Sequence, residues 1–197
     1  DGNLWFTETN LGQIARVVDP SFNRPGLFSA LLPASRPVQV GTVATAFATI
    51  INATGIDGTG CRIFPRSAVP GLFLYQPTDP LTNQLTGTPN TPVSIPIPPG
   101  QPFGSQSFFV AFTMMGPFAP TDVRLNFLCD NLGAANATVG LNTLLLSASN
   151  TPGPDIIALG VTASRDGIVR LAGAPSVAAF AVATANVGAS GSITASA

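Results

Sequence analysis

QSFFVAFTMMGPFAPTDVRLNFLCD, residues 106–130, holds two strands of different kinds. Its first half, SFFVAFT (Ser107–Thr113), is apolar on both faces, the pattern of a strand in the middle of a packed sheet. Its second half alternates: Val123, Leu125, Phe127 and Cys129 point one way, and Arg124, Asn126, Leu128 and Asp130 the other. Period-2 alternation in β-branched and aromatic residues marks a half-buried strand. Between the halves, Gly116, Pro117 and Pro120 supply turn chemistry. Two such strands need a second apolar layer, so the stretch predicts a β-sandwich.

The rest of the chain agrees with that class. It has 197 residues, 20 Gly and 19 Pro spread from end to end, and 45% hydrophobic residues, which suits many short strands joined by tight turns and does not suit helices. Only 9% of residues are charged, the eight basic ones are all Arg, and Lys and His are absent. A net charge of −1 gives no electrostatic reason to bind nucleic acid or an anionic membrane. Mean hydropathy is +0.39, yet no window approaches the roughly 18 apolar residues of a membrane-spanning helix. Low charge and apolar strands leave little to keep copies apart, so association with itself is expected.

No initiator Met and no signal peptide stand at Asp1, which reads as the start of a processed or trimmed chain. Cys61 and Cys129 are the only cysteines. In a β-rich chain the simplest reading is a disulfide made in an oxidising compartment; two separate buried thiols is the other.

Residues 1–36 read as an N-terminal hairpin arm and a Pro-rich linker, 37–150 as the sandwich, and 151–197 as C-terminal strands. In the arm, Asn3–Glu8 and Gln13–Val18 flank a turn at Thr9–Gly12, and Leu4, Trp5, Phe6, Ile14 and Val17 are apolar. A lone two-stranded hairpin is marginal in water and must pack on something. The residues DGNLWFTETNLGQIARV, 1–17, resemble one repeat of the virginiamycin B lyase type of β-propeller, with Ala15 where the second segment usually has glycine. That resemblance implies a catalytic histidine and a bound divalent metal in the complete propeller; this chain has no histidine and no second copy of the motif.

Between Asp19 and Arg36, prolines at 20, 25 and 33 read as a linker or crossing segment. Pro37–Asn52 reads as one long strand, with Phe47 and Ile51 on one face. CRIF (61–64), GLFLY (71–75), Val93–Ile97 and Leu141–Ser149 read as further strands, and Gln76–Pro92 as a polar loop. After Thr151 come IIALGVTA, GIVRLA and VAAFAVATANV. PSVAAFAVATANVGASG (175–191) repeats VGTVATAFATIINATG (40–55) weakly, with Phe180 answering Phe47 and Asn186 answering Asn52. On that reading residues 152–197 open a partial second sandwich module. PTDVRLNF, GLNTLLLSAS and AVATANVGASGSITA, within residues 37–197, are similar to β-sandwich repeats of large secreted bacterial proteins, which implies an extracellular, tandemly organised protein.

Enzyme chemistry finds little to stand on. Without His or Lys, a nucleophilic Ser or Cys has only carboxylates for a base, no GxSxG is present, and the nine acids lie mostly in turns. Asp57 and Asp79 read as turn-forming residues, the cysteines lack further soft metal ligands, and a lysine-based isopeptide brace has no lysine. The triplets at Asn52 and Asn136 are formal glycosylation acceptors. The expectation is an all-β, Greek-key or immunoglobulin-like sandwich with an N-terminal hairpin arm. The chain is expected to be a secreted structural protein without catalytic, metal or cofactor site that assembles with itself through Leu4, Trp5, Phe6, Ile14 and Val17. The alternative is a module whose partner is a glycan, bound on aromatic residues.

Overall fold

A computed structural model of the chain describes residues 4–8, 13–17, 26–162, 169, 177 and 179–192. Among the described residues every element is a strand: β1 Leu4–Glu8, β2 Gln13–Val17, β3 Leu27–Leu32, β4 Ser35–Gln39, β5 Val43–Asn52, β6 Gly58–Pro65 and β7 Gly71–Thr78. There follow β8 Val93–Ile95, β9 Gly104–Met114, β10 Phe118–Cys129, β11 Gly133–Ala134, β12 Thr143–Ser149, β13 Ile156–Thr162 and β14 Phe180–Asn186. The chain divides into two units, one of Gly26–Ala158 with Thr184–Ala197 and one of Asp1–Pro25 with Leu159–Ala183. Apart from Val169, the expected strand GIVRLA at 167–172 lies outside the described residues, as does the turn at 9–12.

The fold is an all-β sandwich. A four-stranded sheet runs β3-β5-β9-β7, and a six-stranded sheet runs β4-β12-β10-β6-β8 with β11 against β10. All pairs in the two sheets are antiparallel except β12 with β4. β9, apolar on both faces, is an inner strand of the four-stranded sheet; β10, alternating, crosses the six-stranded one. The Gly116–Pro117 turn therefore carries the chain from one layer to the other. One core joins both sheets: Ala46, Ala48, Ile50, Phe108, Val110 and Phe112 come from the first, and Ile63, Val123, Leu125, Phe127, Leu144 and Leu146 from the second. At about 25 cal/mol per Å², each large buried side chain contributes roughly 1.5–3 kcal/mol.

Two segments differ from the expectation. Residues 27–36, read as linker, contribute β3 and the start of β4, so the sandwich begins at Leu27. Their prolines were misleading because both sites tolerate a missing N–H: Pro33 lies between the strands, and Pro37 lies in β4, an edge strand. The long strand expected over 37–52 is two strands in different sheets. Gly41, at φ 86°, makes the turn between them, a conformation in which a side chain would be strained.

Candidate association surfaces

Cys61 and Cys129 are both fully buried, and their sulfurs are 2.02 Å apart, a disulfide. Leu128 pairs with Arg62, so the cysteines are neighbours on adjacent strands of the six-stranded sheet. An immunoglobulin disulfide instead joins two sheets. A Cβ on Gly58 would stand 3.0 Å from Cys61 Sγ and 3.2 Å from Cys129 Sγ, so the smallest residue lets β6 run past the bridge. The hairpin is present as antiparallel β1 and β2, with Leu4 opposite Val17, Trp5 opposite Arg16, Phe6 opposite Ala15 and Ile14 opposite Thr7.

An open sheet edge invites another chain, and each edge of the sandwich carries a device against it. Along β7, the Tyr75 N–H donates to Asn90 Oδ1 at 3.0 Å, and the Tyr75 and Pro77 carbonyls accept from Asn90 and Thr86 N–H, both at 2.8 Å. The loop 79–90 thus behaves as a false strand. Asp79 Oδ1 begins it by accepting from the N–H groups of Leu81 and Thr82, and these bonds hold its carboxyl below the ordinary value. On β3, Leu31 N–H donates to Leu141 O at 2.8 Å. Edge strand β4 contains Pro37, and its Gln39 carbonyl accepts from both N–H and hydroxyl of Thr42. β8 is three residues long, with its Ile95 carbonyl taken by Asn52 Nδ2. Asp57 does not close a turn on itself but accepts from Ile97 N–H, across from β6, at 2.9 Å.

Outside these edges, two features stand out. No residue of β3, β5, β7 or β9 is charged, and the outer face of that sheet exposes Leu32, Val43, Phe47 and Leu72. Phe47 and Ile51 do share a face, but it is the outer one; Ala44, Ala46, Ala48 and Ile50 face the core. The second feature is the pair β13-β14, a two-stranded sheet that no third strand joins among the described residues. Every residue of β14 is exposed, Phe180 at 63% and Val182 at 56% among them.

The base of this ribbon is tied to the sandwich. Arg36, on β4, donates from Nε to Asp155 Oδ2 at 2.8 Å and pairs through Nη2 with the same oxygen at 2.7 Å, both side chains being buried. Its Nη1 donates to the carbonyl and hydroxyl of Thr45, where β5 extends beyond β3. Asp155 Oδ1 has no hydrogen-bond partner among the described residues. Nothing in the sequence marked Arg36, because its partner lies 119 residues away.

Other chemistry is sparse. A groove of about 680 Å³ runs beside β4 and β12, lined by Pro37, Phe118, Pro120, Asn150, Pro152 and others, none of them charged. Among the described residues no three His, Cys, Asp or Glu gather, and no helix is long and apolar enough to cross a membrane. Asn52, a formal glycosylation acceptor, is fully buried, its amide donating to Ile56 O and Ile95 O and its oxygen accepting from Thr54. A scan of protein-family models gives no match to the chain, and a search of curated proteins gives none either.

Proposed function

We propose that the chain is a structural, non-enzymatic subunit of an extracellular assembly, secreted or held at a cell surface, that joins its neighbours by strand addition. The carrying observation is β14, paired only with β13 among the described residues and exposed along its whole length. A two-stranded ribbon with exposed Phe and Val is marginal in water, and an added strand supplies both backbone hydrogen bonds and a cover. The guarded edges of the sandwich support the same reading, since they direct strand addition away from the core domain. The buried disulfide suits an oxidising compartment. The tandem organisation implied by the resemblance to secreted bacterial sandwich repeats suits it as well.

In this reading the arm bearing Leu4, Trp5, Phe6, Ile14 and Val17 docks on an adjacent subunit. Such a head-to-tail contact gives an open filament unless its rotation closes a ring. Electron microscopy of the native material distinguishes filament from monomer. Deleting residues 1–18 is expected to leave a folded monomer, and normal polymerisation of the truncated chain would remove the arm from the account.

A glycan-binding module is the second reading, favoured by Phe47 exposed beside Phe109 on the charge-free sheet. Their rings meet edge to face at 72°, which gives no flat platform for a sugar ring. Binding on a glycan array by the monomeric protein would favour this reading over the first.

A further inference from the structure

We infer that β13-β14 is the opening corner of a second sandwich, and that the edge of β14 left free among the described residues receives a strand of the β9 type in the register that β9 holds against β5. The inference rests on the assembly reading only for how that strand is delivered, by a neighbouring module. Its own support is the hydrogen bonding at two asparagines.

Asn52 closes β5: its Oδ1 accepts from Thr54 N–H at 3.1 Å, two residues on, and its Nδ2 donates to Ile56 O at 2.8 Å. The next residue, Ala53, donates its N–H to the carbonyl of Gly26, immediately before β3, at 3.0 Å. Asn186 closes β14 in a similar way, with its accepting carbonyl three residues on instead of four and with Oδ1 taking a further bond from Asp155 N–H at 3.0 Å. Its Oδ1 accepts from Gly188 N–H at 3.0 Å, and its Nδ2 donates to Ala189 O at 2.8 Å. Val187 then donates to the carbonyl of Asp155, immediately before β13, at 2.8 Å. Ala189 N–H to Gly153 O continues this run antiparallel, which sets Asn186 beside Ile156 as Asn52 stands beside Leu27. A local turn would explain the first bond of each set. The cross-strand bond that follows at the same position in both makes the pair of strands, not the turn alone, the repeated unit.

Counting back from the asparagines, Phe180 takes the place of Ala46, Val182 that of Ala48, and Thr184 that of Ile50. The expected match of Phe180 to Phe47 is one residue out, and in a strand one residue changes the face. In β5 those three places face the core at 0–2% exposure, so Phe180 and Val182 occupy core-facing positions that no core covers among the described residues. Since Val187 turns its N–H toward β13, the N–H groups of Phe180, Val182 and Thr184 turn to the free edge. Against β5, Ala46 pairs Val110, Ala48 pairs Phe108 and Asn52 pairs Gly104. The occupant is therefore an extended strand, apolar on both faces, that sets a Val110-like residue opposite Phe180, a Phe108-like residue opposite Val182 and a glycine opposite Asn186.

The test is amide exchange by NMR on the full chain, with a synthetic peptide of residues 104–114 carrying a lysine tag for solubility. Saturable binding is expected to slow exchange at Phe180, Val182 and Thr184 by roughly tenfold or more and at Ala181, Ala183 and Ala185 by less than about twofold. Phe180→Asp, at a position already exposed, is expected to abolish the effect without changing the exchange of the sandwich. No slowing, equal slowing by a scrambled peptide, slowing confined to β13, or persistence in Phe180→Asp would each overturn the inference. A chain that binds the peptide yet never polymerises keeps the inference and loses the assembly reading. A polymer whose β14 amides are untouched by the peptide does the reverse.

Discussion

β5 and β14 end on similar asparagine turns, but β5 is covered along its far edge by β9 and over its inner face by the core, while β14 has neither among the described residues. The difference separates two kinds of information. The corner is largely local: one side-chain amide satisfies backbone groups within four residues, makes one further bond, from Asn52 to Ile95 O or from Asp155 N–H to Asn186, and aligns the neighbouring strand. The cover is not local, because it needs a strand from far along the chain. Ala46 and Ala48 are buried only because β9 and β10 arrive; Phe180 and Val182, larger and more apolar, stay exposed for want of such strands.

Removing what only the covered corner has should produce the largest effect. The disulfide closes a separation of 68 residues and lies in the core, so the double substitution Cys61→Ala and Cys129→Ala is expected to cost the sandwich about 4 kcal/mol in denaturant unfolding. Exchange at β14 should not change, and a parallel rise there would show that the ribbon shares the stability of the core.

Next comes the tie between the two regions. Arg36→Met leaves Asp155 buried without its partner, an expected loss of about 3 kcal/mol in the same measurement. Replacing both, Arg36→Met with Asp155→Leu, should restore most of it. If the single variant is neutral, the ribbon base is not anchored through this pair.

The asparagines compare the corners directly. Asn52→Ala leaves buried backbone groups unsatisfied and is expected to cost about 2 kcal/mol, against about 1 kcal/mol for Asn186→Ala, which leaves only the part-buried Asp155 N–H without a partner while Gly188 and Ala189 lie nearer to solvent. Equal costs would mean that β14 is covered in solution.

The smallest effect concerns the guarded edge of β7. Hydrogen bonds from Thr82 and Leu81 lower the Asp79 pKa, so its folded value lies below its unfolded one. That contribution is complete above the unfolded carboxylate range and is lost as pH falls through the depressed folded value. In acid the loop should loosen, and the protection of Tyr75 N–H relative to its intrinsic exchange rate at the same pH should fall. Asp79→Asn should weaken this dependence, and an unchanged acid profile would remove Asp79 as the start of the guard.

These cases also show what could be read from residues alone. The alternation of Val123, Leu125, Phe127 and Cys129 located a half-buried strand because facing is a period-2 property of the chain itself. Residues 27–36 were lost to their prolines, since sequence does not reveal whether a strand will lie at an edge. Phe47 and Ile51 share a face by alternation, but alternation does not say which face meets the core, and it is Ala44, Ala46 and Ala48 that do. The arm residues were legible as an apolar hairpin, and Asn186 was within reach through the weak repeat. Its meaning required the hydrogen bond from Val187 to Asp155, which no spacing encodes.

The central claim is that β14 is β5 without its cover, and residue-resolved amide exchange of the dilute, monomeric chain tests it most directly. Ala46, Ala48 and Ile50 are expected to exchange only by global unfolding, while Phe180, Val182 and Thr184 exchange orders of magnitude faster than these and faster than their own neighbours Ala181, Ala183 and Ala185. Protection at Phe180, Val182 and Thr184 equal to that of β5 would contradict the account, since it would mean that the monomer already covers the edge.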